Sequence, residues 1–78
     1  MEVNMYEKFV KLLVEELQID ESEIDMDAEL SNDLGINSIE LADLVMQCEE
    51  TFGIEIQDDD IRQFTTVRDV VTYLETIA

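Results

Sequence analysis

Apolar residues recur at helical spacing over three stretches of this chain and lose the period over a fourth. From about Val3 to Leu17, the residues Tyr6, Val10, Leu13 and Leu17 follow a 4-3-4 spacing, flanked by Val3, Phe9 and Val14. That is one face of an amphipathic helix, and Asn4 with Glu7 three residues later supplies its start signal. From Gln18 to Asn37 the apolar positions Ile19, Ile24, Leu30, Leu34 and Ile36 keep neither a helical nor a strand period. The segment reads as an ordered loop pinned to the core by those side chains, with a short helical turn near Ser22 to Ile24.

The second helix has the clearest ends. Asn37 is an N-cap residue with Glu40 three positions on, the pattern of a capping box. Gly53 stands where a left-handed residue closes a helix, and Ile54 where a Schellman motif places its apolar contact, against Glu49 or Cys48. The predicted span is Ser38 to Phe52, and Gly35 upstream suits a turn with positive φ. The segment from Gly53 to Gln57 reads as extended. Asp58, Asp59 and Asp60 precede a short helix predicted around Ile61 to Phe64. Thr66 with Asp69 makes another capping signature, followed by a last helix with Val67, Val70, Val71, Leu74 and Ile77 on one face. The expectation is an all-α single domain over residues 1–78: a small bundle of three longer helices plus one short helix, with a long loop between helices 1 and 2.

Composition narrows what such a domain does. Four Lys/Arg stand against 21 Asp/Glu, a formal net charge of −17, so nucleic acid and anionic membrane surfaces would repel it. There is no His and one Cys, which excludes a His-based triad, a Cys/His zinc site and a disulfide framework. No run approaches the length of a membrane span, the N-terminal residues make no signal peptide, and the compartment expected is the cytoplasm. At 46% apolar residues the chain folds, although a core of this size supplies only ~3–5 kcal/mol net. Each pair of like charges ~10 Å apart in water opposes that by ~0.4 kcal/mol before screening.

On a helical wheel of residues 38–52, Leu41, Leu44, Val45, Cys48 and Phe52 form the core stripe. Ile39, Ala42 and Met46 form a second apolar stripe, bordered by Asp43 and Glu50 on one side and Glu49 on the other. The wheel alone fits equally a helix buried on most sides. The acidic rim decides for a partner surface, because a fully buried helix would not carry Glu40, Asp43, Glu49 and Glu50. Ser38 opens this helix, where free amides and the positive end of the macrodipole would stabilise a phosphate on its hydroxyl. From local sequence alone, a serine that merely starts a helix is the simpler reading.

Three segments carry a resemblance. These are the run from Asp33 to Glu40 (Asp-Leu-Gly-Ile-Asn-Ser-Ile-Glu), the run from Leu44 to Ile56 with its Glu-Glu-Thr-Phe-Gly-Ile-Glu-Ile, and Thr65-Thr66-Val67-Arg68-Asp69-Val70. Together the chain resembles acyl carrier proteins over essentially its whole length. The resemblance implies a four-helix bundle that performs no chemistry itself. It implies that Ser38 bears 4′-phosphopantetheine, transferred from coenzyme A by a phosphopantetheinyl transferase, whose terminal thiol carries acyl groups as thioesters. It further implies that Ile39, Ala42 and Met46 pack against partner enzymes, acyl-transferring and chain-elongating, while Glu40, Asp43, Glu49 and Glu50 meet their basic patches, with Glu55 and Asp58 extending the acidic surface. The commonest family motif is Asp-Ser-Leu; here it is Asn37-Ser38-Ile39, which keeps the cap and the apolar contact but lacks one negative charge. Fatty acid biosynthesis is the leading expectation. A discrete carrier of a polyketide, nonribosomal-peptide or D-alanine pathway would share these features. With Met1 first and no linker, a discrete monomeric protein is expected.

Two rival readings compete. Asp25, Asp27 and Glu29 alternate as in a calcium-binding EF-hand loop, but Leu30 stands in place of the required glycine and Ile36 in place of the bidentate glutamate, so no metal site is expected. An unmodified acidic adaptor would share the second helix and need no Ser38 chemistry. Cys48 lies on the core stripe and reads as a small buried hydrophobe, not a nucleophile.

Overall fold

A computed structural model describes residues 4–77 of the chain. Four α-helices follow in order: α1 (Met5–Leu17), α2 (Ser38–Phe52), α3 (Asp58–Ile61) and α4 (Val67–Ile77), with one 3₁₀ turn (Glu21–Glu23) between α1 and α2. The four-helix, all-α architecture matches the expectation. Val3, placed in the first helix by its spacing, lies outside the described residues. The helix itself starts at Met5, because Asn4 adopts an extended conformation and its side chain accepts the Glu7 amide at 2.8 Å.

The core lies where α1 packs against both α2 and α4. Its fully enclosed side chains are Phe9 and Leu13 from α1, Leu44 and Cys48 from α2, and Val67, Val71 and Leu74 from α4. Fully burying a side chain such as Phe9 contributes about 1.5–3 kcal/mol. Leu12 is also buried, off the predicted stripe of α1, because a helix gripped by two neighbours buries a wider arc than one. Leu41 and Phe52, expected in the core, are half-buried near the ends of α2.

The loop from Gln18 to Asn37 is ordered by the mechanism its apolar residues suggest. Ile24, Leu30 and Ile36 are buried, Ile19 and Leu34 pack on the core, and Ala28 joins them. Its backbone finds a partner that no local pattern reveals. The Val67 amide donates to the Ala28 carbonyl at 3.0 Å and the Arg68 amide to the Met26 carbonyl at 2.9 Å. These are first-turn amides of α4, which have no partner inside their own helix. In return the Leu30 amide donates to the Thr65 carbonyl at 2.9 Å, and Glu29 forms an antiparallel bridge with Thr66. The loop thus caps α4 while the core holds the loop.

The short helix is displaced from its predicted place. It was expected around Ile61 to Phe64, after the three aspartates. Instead Asp58, Asp59 and Asp60 form its first turn, Gln57 is the extended cap, and Ile61 ends it. Aspartate reads as a turn residue by propensity, but in a first turn its charge faces the positive end of the helix dipole. Tighter bonds, Gln63 amide to Asp60 carbonyl and Phe64 amide to Ile61 carbonyl, carry the winding on to Phe64.

Candidate functional site

The approach to Ser38 is built by local hydrogen bonds. The Asp33 and Leu34 amides both donate to the Glu29 carbonyl at 3.0 Å, and the Gly35 amide donates to Ser31 at 3.0 Å. The Ile36 amide then donates to Leu30 at 2.9 Å. That reversal places Gly35 at φ 68°, a left-handed conformation that glycine adopts without steric cost. Two residues on, the predicted capping box forms. The Asn37 side chain accepts the Glu40 amide at 2.8 Å, and the Glu40 carboxylate accepts the Asn37 amide at 3.2 Å. Ser38 is therefore the first helical residue of α2, with its hydroxyl exposed at the positive end of the helix dipole.

Below Ser38 an open groove separates α2 from the segment that leads into α3. Ser38, Leu41, Val45 and Met46 line one side, Ile56 and Ile61 the other. Of the apolar strip read from the wheel, Ala42 and Met46 border this groove, while Ile39 stands clear of it, 82% exposed. Met46 is 58% exposed, so the strip is a surface and not a second core.

The acidic rim divides into two kinds of residue. Asp43 and Glu50 on α2 and Glu55 beyond it are exposed, and among the described residues neither of the two salt bridges involves them. Glu40 and Glu49 are half-buried and already engaged: Glu40 closes the capping box, and a Glu49 carboxylate oxygen accepts the Ile56 amide at 2.8 Å. The Glu49 backbone carbonyl also accepts the amides of Gly53 and Ile54. Asp58, taken as an extension of the acidic surface, lies on the groove wall. The groove's far side, Ile56 and Ile61, was not anticipated as part of the site. Its signal was Gly53 (φ 65°), which turns the chain back beside the last turns of α2.

Cys48 adds no reactive group. Burial, with a smaller push from the Glu49 charge, raises its thiol from an ordinary 9.0 to about 12, so it stays protonated and packed in the core. Tyr73 is also raised, first by removal from water and then by the Asp60 carboxylate, to which its hydroxyl donates at 3.0 Å. Among the described residues no helix is long and apolar enough to cross a membrane.

A helical domain that offers an exposed serine at the head of an acidic helix, above an apolar groove, has the architecture of a carrier domain. A family model described as the phosphopantetheine attachment site matches residues 7–74. An acyl carrier protein of Solidesulfovibrio magneticus is 37% identical over 73 residues, which cover 94% of this chain and 94% of that one. The crystal structure of an acyl carrier protein from Thermotoga maritima superposes with a TM-score of 0.78 at 30% identity, covering 88% of this chain and 80% of that one. The chain belongs to the phosphopantetheine-bearing acyl carrier protein family, whose members carry their cargo on a serine-linked arm and are not catalysts.

Proposed function

We propose that Ser38 is the serine that bears 4′-phosphopantetheine, installed by a phosphopantetheinyl transferase, and that this single domain over residues 1–78 carries acyl groups between the enzymes of fatty acid biosynthesis in the cytoplasm as a monomer. The observation that carries the proposal is the position of Ser38: exposed, first in α2, at the mouth of an apolar groove. The chain has two other serines. Ser22 donates its hydroxyl to the Asp20 carboxylate at 2.8 Å, and Ser31 lies in the acidic turn beside Asp33, where added negative charge is opposed. A phosphodiester at Ser38 instead meets the positive end of α2. The Glu40 carboxylate beside it is bent back onto the Asn37 amide. Asn37, in place of the family's usual aspartate, removes one further negative charge from that neighbourhood.

The arm would supply a terminal thiol as the point of acyl attachment. The chain's own residues orient and shield: the exposed hydroxyl sets where the arm begins, and Leu41, Val45, Ile56 and Ile61 offer apolar surface to an alkyl chain. The apolar part of that lining supports a fatty acyl cargo. Asp43, Glu50 and Glu55 face solvent, and Ile39, Ala42 and Met46 supply the apolar contact beside them. Glu50 sits at the negative end of α2, where a carboxylate costs about 0.3–1 kcal/mol, so folding does not account for it. These residues, with the exposed edges of Glu40 and Glu49, form the docking face for partner enzymes with basic patches.

The test is intact mass after incubation with coenzyme A, Mg²⁺ and a broad-specificity transferase. The expected result is the gain of one phosphopantetheine, abolished by Ser38→Ala. No gain with several transferases, or gain in Ser38→Ala, would sink the assignment. Mass analysis of the protein purified from its native source addresses the pathway: straight-chain acyl groups on the arm support fatty acid synthesis, and aminoacyl groups overturn it.

A further inference from the structure

The two walls of the Ser38 groove differ in how they are held. The α2 wall is a helix packed on α1 through Leu44 and Cys48. The opposite wall is the segment from Gly53 to Gln57 followed by the single turn of α3. The backbone hydrogen bonds of α3 are all local, from Gln57 to Phe64. Among the described residues, two side-chain hydrogen bonds tie this wall to the rest of the molecule. The Tyr73 hydroxyl donates to Asp60 at 3.0 Å at its far end, and the Ile56 amide donates to Glu49 at 2.8 Å at the groove.

Glu49 also receives the Gly53 and Ile54 amides on its backbone carbonyl. One residue thus collects three amides of the departing chain, and its side chain decides where the third is placed. Ile56 is only 6% exposed, and an amide in that setting is costly to leave without an acceptor. A carboxylate acceptor makes a stronger hydrogen bond than a neutral one.

We propose that Glu49 is a positioning residue: by holding the Ile56 amide it latches this wall and sets how wide the groove beside Ser38 opens, and hence which acyl chain lengths the carrier shelters. The second half of this proposal rests on the reading of Ser38 as the arm-bearing residue. The first half does not. With the latch closed, Ile56 and Ile61 stand across the open groove from Leu41 and Val45. A longer chain gains apolar burial only by displacing Ile56, which breaks the Glu49 hydrogen bond. The latch therefore opposes long cargo and yields once the added methylenes outweigh it.

Two measurements on the full chain test this separately. The first is amide hydrogen exchange by NMR without the arm. Glu49→Ala is expected to speed exchange at Ile56 at least tenfold while the core amide of Leu74 is unchanged. Glu49→Gln keeps a neutral acceptor and is expected to recover most of the protection. Equal Ile56 exchange in wild type and Glu49→Ala overturns the latch, as does an equal rise at Leu74, which would mean global destabilisation. The second uses stable amide analogues of butyryl-, octanoyl- and dodecanoyl-phosphopantetheine loaded on Ser38, with the shifts of Ile56 and Val45 as the readout. Wild type is expected to shelter octanoyl and leave dodecanoyl largely in solvent, whereas Glu49→Ala shelters dodecanoyl at least fivefold more. The same chain-length profile in both proteins overturns the role in selecting cargo. If loading itself fails at Ser38, the carrier assignment falls while the exchange result still decides the latch.

Discussion

Gln18 is the one non-glycine residue with positive φ among those described, at 56°, and it closes α1 where Gly53 closes α2. Its amide and that of Ile19 both donate to the Leu13 carbonyl, so the geometry of a glycine-terminated helix is complete without glycine. A side chain in this region is crowded against its own backbone. Gln18→Gly is expected to raise stability by about 0.5–1 kcal/mol, read as a higher urea midpoint at unchanged slope. Asp69 works in the opposite sense. Its carboxylate accepts the Thr65 and Thr66 amides at 2.9 and 3.0 Å, while its own amide donates to the Thr66 hydroxyl. The bonds from Thr66 and then Thr65 hold its carboxyl pKa below the ordinary 3.8. A depressed folded value means that the stabilisation is complete above the unfolded value and disappears as pH falls through the folded one. Asp69→Asn keeps an acceptor oxygen but loses the charge at the positive end of α4, and is expected to cost about 0.3–1 kcal/mol near neutral pH. The gap from wild type should shrink as pH is lowered past 3.8 in paired denaturation curves.

The loop between α1 and α2 shows how a segment without periodicity becomes an element in its own right. Two kinds of tie hold it: the exposed Arg68–Asp27 ion pair at 3.0 Å, and the apolar anchors with their backbone exchange to α4. Magnitudes decide between them. An exposed ion pair contributes at most about 1 kcal/mol, whereas truncating a buried leucine costs about 2–5 kcal/mol. Arg68→Ala should therefore leave the denaturation midpoint nearly unchanged. Leu30→Ala, at a position 3% exposed, should remove most of the stability available to a domain of this size, seen as loss of helical circular dichroism at room temperature. The existence of α1, α2 and α4 was readable from spacing and caps. The pairing of this loop with α4 was not, because its partners are some forty positions apart and each bond is an ordinary backbone bond that leaves no trace in composition.

The molecule has a radius of gyration of 11.4 Å, against about 11.5 Å expected for a compact chain of its length, while carrying a net charge of −17. Two ion pairs among the described residues, both exposed, relieve little of that repulsion. The melting temperature is therefore expected to rise with NaCl and to rise further with MgCl₂ at matched ionic strength; a flat profile in both titrations would contradict this. Part of the charge has structural work. Asp20 accepts the Ser22 amide, Asp25 the Asp27 amide and Asp33 the Glu29 amide, so three acids of the loop also form its turns.

The helices, their caps and the place of Ser38 follow from residues three or four positions apart, and the chain states those relations directly. Asn37 with Glu40 positions Ser38 whatever the rest of the molecule does. Three features depended on the assembled bundle: the start of α3 at its aspartates, the grip of the loop on α4, and the turning of Glu49 inward to Ile56 while Glu50 faces outward. On a helical wheel Glu49 and Glu50 flank the apolar strip, one on each side, and nothing in the wheel gives them different roles. They part only when Gly53 brings the chain back beside one of them, because a buried amide needs an acceptor and Glu49 is the one in reach.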